Sequence, residues 1–398
     1  MAGSVILLKT KGQQDTYLTS NPEINFFVRE YKKNVDFAIE QTRLYFYENV
    51  DFGKKITIQV PKRAEFLSNI HFCFTLDKLT KIDGSYVAWA NSVGHVIIDY
   101  IDLEIGNKLI DRQYGLFMEI WEELTGKDKD ENQMIGKTST MSALTINASV
   151  PSSYQVPLQF FFCKGLWNAL PLINMKYHDI KLIIKLRTFD ECVIYDGTTA
   201  PSQVQILDSY FLADYIYIDE TEKIRLKSSP RTMLMNQVQM VDVVVNGGVF
   251  KIDVPFNHPV KELLWVFVED DSVLNNDWFN FSKRNIVPFT KVYSIMKNCK
   301  FLVEGKEYSE PKDEYVYRYV NTDRYHTNRT DRFIYCLSFA DKPENWEPTG
   351  SLNFSKIDTA VLSGDIQTPV GPSKMHVFGV NHNWLLFENG LTSLRFIT

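Results

Sequence analysis

The sequence predicts an all-β protein of two consecutive domains, and three observations carry that expectation. Apolar residues recur with period two in many short runs, the signature of half-buried strands. Gly, Pro and Asn punctuate those runs, as sandwiches and barrels require. Helix signals are few. At 398 residues the chain exceeds one ordinary core and suits two domains. Its 27 Phe and 20 Tyr favour strands and large packed surfaces, and a hydrophobic fraction of 44% can fill both cores.

Each element follows from local pattern. In "KKITIQV", Ile56, Ile58 and Val60 alternate with Lys55, Thr57 and Gln59. "HDIKLIIKLRTF" sets Ile180, Leu182, Ile184 and Leu186 against Lys181, Lys185 and Arg187. "DYIDLEIGNKLID" places Ile101, Leu103 and Ile105 before Gly106-Asn107, a two-residue hairpin turn. "MVDVVVNGGVFKIDV" predicts the same device at Asn246-Gly247-Gly248. The strongest helix signal is "YGLFMEIWEELTGK", with Leu116, Ile120, Trp121 and Leu124 on one face and Gly126 as its stop. "ENWEPTGSLNFSKID" combines a rigid Pro348-Thr349-Gly350 turn with an irregular strand through Leu352, Phe354 and Ile357. The charged stretch "DETEKIRLKSSP" is a mid-chain link. The resulting organisation is an N-terminal arm over 1–24, domains over 25–218 and 231–398, and a linker over 219–230.

Charge and cysteines narrow the function. A net charge of −6 argues against direct nucleic-acid binding. Residues 1–63 nevertheless carry net +3, with Lys32, Lys33, Lys54, Lys55, Lys62 and Arg63 close together. The five cysteines (Cys73, Cys163, Cys192, Cys299 and Cys336) are scattered in apolar runs, which predicts reduced, buried thiols. No signal-peptide pattern or span of about 18 apolar residues is present, so a soluble chain made inside the cell is expected.

A search for chemistry returns no catalytic site. GxGxxG, GxxxxGK[ST], HExxH, GxSxG and CxxC are all absent. His382 and Glu388 in "GVNHNWLLFENG" offer a faint metal pair, but the position two after His382 is Trp384, and a packed core strand is the better reading. His258, before Pro259, reads as a structural loop end. "KDKDEN" at 127–132 lacks the glycine and terminal Glu of a calcium loop. Four sequons occur, at Asn147, Asn280, Asn328 and Asn353, and the first three are the candidate glycosylation sites. No catalytic residue, cofactor or metal is expected.

Five ordered motifs carry a resemblance: "TYLTSNPEINFFVREYKKNVDFAIEQ" with "VDFGKKITIQVPKRAEFLSNIHFCFTL", "IDLEIGNKLIDRQYG", "VPLQFFFCKGLWNALPLINMKYHDIKLII", "FNHPVKELLWVF" and "KPENWEPTGSLNFSKID". Together they resemble major capsid proteins of nucleocytoplasmic large DNA viruses, a family that includes algal-virus, iridovirus and mimivirus-like groups. The resemblance implies two consecutive jelly-roll β-sandwiches with a few short helices in loops. It also implies a homotrimer of pseudo-hexagonal outline, tiling an icosahedral virion capsid beside neighbouring capsomers and minor capsid proteins. Assembly in a cytoplasmic virus factory and an internal viral membrane against the N-terminal face belong to the same expectation. The chain is shorter than typical relatives, which predicts brief outward loops. A minor capsid paralogue, a poxvirus-type membrane scaffold, and a jelly-roll enzyme or carbohydrate-binding protein are the competing readings.

Overall fold

The computed structural model describes residues 34–126, 129–227, 230–283, 293–367 and 371–396, with a few isolated positions before residue 34. The expected arm over 1–24 lies almost wholly outside them, as do Lys32, Lys33, Lys127 and Asp128. The chain forms two compact units, residues 1–36 and 37–398, and all the elements named below belong to the second.

Among the described residues before 219, eight strands build the two main sheets, beside the short strands Val87–Trp89, Leu170–Pro171 and Val193–Tyr195. The eight are β1 (Phe37–Tyr45), β2 (Lys55–Val60), β3 (Phe66–Leu76), β4 (Ile98–Ile105), β5 (Lys108–Tyr114), β6 (Ser152–Pro157), β7 (Ile180–Leu186) and β8 (Ile206–Ile218). They pair as two antiparallel sheets, β1-β8-β3-β6 and β2-β7-β4-β5. After residue 230 come β9 (Arg231–Val245), β10 (Val249–Asp253), β11 (Pro259–Glu269), β12 (Met296–Val303), β13 (Lys306–Glu307), β14 (Tyr335–Ser338), β15 (Ala360–Ile366), β16 (Ser373–Glu388) and β17 (Leu391–Leu394). Their sheets run β9-β16-β11-β14, with β17 against β16, and β10-β15-β12-β13. Adding eight to each strand number of the first pair of sheets reproduces the second. This is a jelly roll, written twice.

The alternating runs fold as their period dictates. Ile56, Ile58 and Val60 are buried on β2 while Lys55, Thr57 and Gln59 face water. Gly106 and Asn107, at φ 59° and 61°, join β4 to β5 through Ile105 opposite Lys108, as a type I′ turn does. The equivalent hairpin of the second sandwich turns at Glu304 and Gly305, at φ 51° and 71°. Glu304 offsets its left-handed backbone by accepting hydrogen bonds from the Asp358 and Thr359 amides at 2.6 and 3.2 Å.

Two expectations need correction. Asn246-Gly247-Gly248 does not close a hairpin: β9 pairs with β16 and β10 with β15, so this turn carries the chain from one sheet to the other. Strand alternation on both sides cannot tell a hairpin from a sheet-to-sheet crossing. After Gly350 only Leu352–Asn353 is strand, against Pro259–Val260, before a 3-10 turn buries Phe354 beside Phe256, Phe301 and Phe339.

Helix α1 (Gly115–Thr125) forms where the apolar spacing places it, and is followed by α2 (Met141–Ala148) and the exposed α3 (Glu220–Lys227) in the expected linker. α1 buries more than one face. Phe117, Met118, Glu119, Ile120, Trp121 and Leu124 are all enclosed, because the helix lies between the two pairs of sheets. Among the described residues no helix is long and apolar enough to cross a membrane.

Candidate functional site: the seam between the sandwiches

The seam is built on α1. On its apolar side Phe117 and Tyr114 meet Phe378 of β16, with ring centroids 5.5 and 6.2 Å apart. On its polar side Glu119, fully buried, accepts from Ser92 Oγ at 3.2 Å and contacts His95 Nδ1 at 2.7 Å, both on the first-sandwich side. Arg332, from the segment before β14, reaches Glu119 Oε1 with Nη1 and Glu123 Oε1 with Nε, both at 2.9 Å. Lys137 bridges the same two carboxylates at 3.1 and 2.7 Å. Burial alone would raise the Glu119 pKa, but His95, Arg332 and Lys137 outweigh it and hold the carboxyl well below its usual range.

A second ionic cluster lies nearby. His326 stands edge-on to Trp121 of α1, with ring centroids 6.3 Å apart. Its Nε2 is 3.1 Å from Glu262 Oε2 and 3.5 Å from Cys336 Sγ, while its Nδ1 is 3.1 Å from Glu344 Oε1. Glu262 lies on β11 and Cys336 on β14. Leu264 is the register partner of Cys336, so Glu262, two residues away, shares its face. Glu344 comes from the loop that the Pro348-Thr349-Gly350 turn closes, where Thr349 Oγ1 bonds the Lys342 amide at 3.0 Å. Lys261 donates to the Pro343 carbonyl at 2.6 Å, and burial with repulsion from Lys164 lowers its pKa to about 7. Lys164 in turn sits 4.4 Å over the Trp121 ring. Asp111, enclosed below the seam, takes hydrogen bonds from the Val238 amide and Gln113, and burial pushes its pKa up to about 6.

Backbone and side-chain hydrogen bonds complete the join. Gln237 Nε2 donates to the Ile110 carbonyl at 2.5 Å, Trp278 Nε1 to Glu191 at 2.8 Å, and Asn276 to Asp190 and Val193 at 2.6 and 2.8 Å. The seam is thus a mixed aromatic and charged contact that fixes geometry. Glu119 and Glu123 are matched by His95, Lys137 and Arg332, an arrangement that holds the segments together.

The other sequence candidates are dispersed. His382 is buried in β16 with neither ring nitrogen hydrogen-bonded, and burial lowers its pKa to about 4. Glu388 is exposed six residues along the same strand, roughly 20 Å away, so the two do not meet. His258 adopts φ 66° and ties its loop to Ser355 and Phe354. Asn147 is exposed on α2. Asn280 is half-buried, bonding Asp277 and Ser282. Asn328 donates its side-chain amide to Gly126 O at the end of α1. Asn353 is exposed but caps the turn at Ser355. Lys54, Lys55, Lys62 and Arg63 are exposed. All five cysteines are unpaired. Both ionic clusters escape sequence reasoning because each joins segments tens to hundreds of residues apart, Glu262 to His326 and Glu119 to Arg332 among them. The one legible hint was Glu119, set between Met118 and Ile120 on the helix.

Comparison with known proteins agrees with this architecture. Residues 25–219 match the family described as "Major capsid protein N-terminus", and residues 222–393 match "Large eukaryotic DNA virus major capsid protein". The major capsid protein of Pyramimonas orientalis virus is 30% identical, with all of both chains covered. This chain belongs to the major capsid protein family of large eukaryotic DNA viruses. The major capsid protein of Phaeocystis pouchetii virus is 26% identical with full coverage of both chains, over 518 aligned positions against 398 residues here. That relative therefore carries insertions the present chain lacks. Among solved structures, the PBCV-1 virus capsid superposes with a TM-score of 0.83 at 22% identity, over 94% of this chain and all of that one. The Faustovirus major capsid protein reaches 0.74 at 11% identity, with 97% of each chain covered. The double jelly roll persists at identities where little sequence does.

Proposed function

We propose that three copies of this chain associate into a capsomer of pseudo-hexagonal outline, and that such capsomers tile an icosahedral shell. The observation that carries this reading is the repeat of one strand order in two sandwiches joined by a buried seam. A subunit so built offers two similar blocks, and three subunits offer six. The division into jelly rolls over 25–218 and 231–398, joined by 219–230, is part of the same reading.

Edge strand β1 supports a protein partner. Phe37 and Ile39 are 44% and 49% exposed at the open side of its sheet, and Tyr47 just beyond is 95% exposed. Apolar groups on an edge with no partner strand among the described residues suit cover by another chain. The role is structural, without catalysis, and neighbouring capsomers and minor capsid proteins are its partners. Unpaired cysteines suit assembly in a reducing cytoplasm. The exposed Lys54, Lys55, Lys62 and Arg63 face the particle interior in this reading, against anionic lipid or acidic minor proteins. Among the three candidate sequons, Asn147 is the placement open to a glycan, because Asn280 and Asn328 already spend their amides.

Light scattering on the purified chain tests the proposal. A mass three times that of the subunit at micromolar concentration is expected, falling to one subunit in Ile39→Asp. A monomeric native chain would overturn it.

A further inference from the structure

We propose that Glu262, His326 and Cys336 form a structural zinc site inside the second jelly roll. Among the described residues this is the one group of three or more His, Cys or acidic donors close enough to share an ion. The donor atoms form a triangle of 3.1 Å (His326 Nε2 to Glu262 Oε2), 3.5 Å (His326 Nε2 to Cys336 Sγ) and 4.0 Å (Cys336 Sγ to Glu262 Oε2). Tetrahedral zinc, with bonds of about 2.0–2.3 Å to N, O and S, separates its ligands by roughly 3.3–3.6 Å. The triangle is therefore already the size of one coordination face.

Two further observations point to an ion. Glu262 Oε1 is buried and has no hydrogen-bond partner, which leaves an anionic oxygen beside the triangle with nothing to satisfy it. A bidentate Glu262 supplies the fourth donor where no solvent reaches. On the far side of the imidazole, Nδ1 of His326 faces Glu344, which also accepts from the Thr327 amide and hydroxyl at 2.7 and 2.5 Å. A carboxylate behind the ligating histidine fixes its tautomer and ring plane, the usual support of a zinc imidazole. One thiolate, one imidazole and one carboxylate suit zinc. Magnesium and calcium take shells of oxygen.

The exchange balances in charge. Without metal the cluster holds an imidazolium between two carboxylates, with Cys336 as a thiol. Binding Zn²⁺ releases the Nε2 proton and the thiol proton to solvent, and the net charge seen by Lys261 and Lys164 is unchanged. The side chains of Glu262 and His326 have no exposed surface, so the ion enters as the chain folds and afterwards clips β11, β14 and the segment after Tyr325 together.

Metal analysis of the full chain, expressed in zinc-replete medium and folded by circular dichroism, tests the site. One zinc per chain is expected, with less than about a tenth of that in Cys336→Ser. Cobalt(II) refolded in place of zinc gives a thiolate-to-cobalt absorption band, retained in His382→Ala and lost in Cys336→Ser. Glu344→Gln keeps the band with affinity weakened roughly 10–100-fold. Folded native protein without stoichiometric zinc, or cobalt protein lacking the thiolate band, overturns the proposal and leaves His326 as a proton bridge. Because metal content is read independently of mass, this outcome is separable from the trimer test.

Discussion

The strands of one sandwich are buried to different depths, and the pattern repeats in the other. β2 and its counterpart β10 keep one face in water and alternate strictly, whereas β3 has no exposed residue and its counterpart β11 is enclosed along nearly its whole length, Lys261 and Glu262 included. β2 covers the sandwich core on one side only. β11 has that core, including Tyr317 on Trp265, on one side and, on the other, His326 against Glu262. Topology therefore sets which strands pair, while the second layer of cover decides which may hold charge. Buried charge survives where partners from distant segments converge, and the seam is where they do.

The largest effect expected from breaking this arrangement is at Glu119. Glu119→Ala leaves His95, Lys137 and Arg332 with one carboxylate fewer in an enclosed space, a loss of about 3–5 kcal/mol. Urea denaturation of the purified chain measures it. The same carboxyl adds an acid limb. Its folded pKa lies below the 4.5 of the unfolded chain, so its contribution is full above pH 4.5 and is lost as pH falls below it. A native chain whose stability does not decline on acidification below 4.5 contradicts this account.

The one-sided nature of β2 is sharpened by a pair of variants on adjacent residues. Ile58→Ala should cost about 2–4 kcal/mol through lost burial and the cavity left behind. Thr57→Ala, on the wet face, should stay within about 0.5 kcal/mol. Equal effects would show that the first sandwich is covered on both faces.

In the second sandwich, β16 carries the half-buried His376 and the buried His382, and desolvation lowers each pKa from 6.5 to about 4. The unfolded chain takes up protons first, so both histidines contribute fully above pH 6.5 and lose that contribution as pH drops toward 4. His382→Leu should flatten the stability decline between pH 6.5 and 4 by roughly 2 kcal/mol. Asp111 acts oppositely: its raised pKa stabilises the fold at low pH and loses that effect as pH climbs from 3.8 to about 6. Thermal melts of the native chain and of H382L across this range decide the point.

The smallest effects belong to the matching hairpins. Asn107→Ala, at φ 61°, should cost about 1 kcal/mol, because few side chains tolerate the left-handed region. Lys300→Ala, which breaks an exposed pair with Glu307 across the other hairpin, should change stability by less than about 1 kcal/mol. Thermal shifts in that order would confirm that turn backbone matters more here than surface charge.

Much of this fold was legible locally. Period two in "KKITIQV" and "HDIKLIIKLRTF", the Gly106-Asn107 turn and the α1 spacing each concern neighbours within about ten residues, where side-chain direction alternates by simple geometry. The motif order pointed to the family for the same reason: each motif is a contiguous stretch. Three things were decided only by the tertiary structure. Asn246-Gly247-Gly248 became a sheet-to-sheet crossing because β9 found β16, more than a hundred residues away. α1 was enclosed on several faces because the second sandwich packs over the first. Glu262, His326, Cys336 and Glu344 became one cluster because β11 pairs with β14 and the Pro348-Thr349-Gly350 turn folds its loop back. No local period encodes such meetings, since the free energy that selects them comes from pairing strands and neutralising charges between segments far apart in the chain.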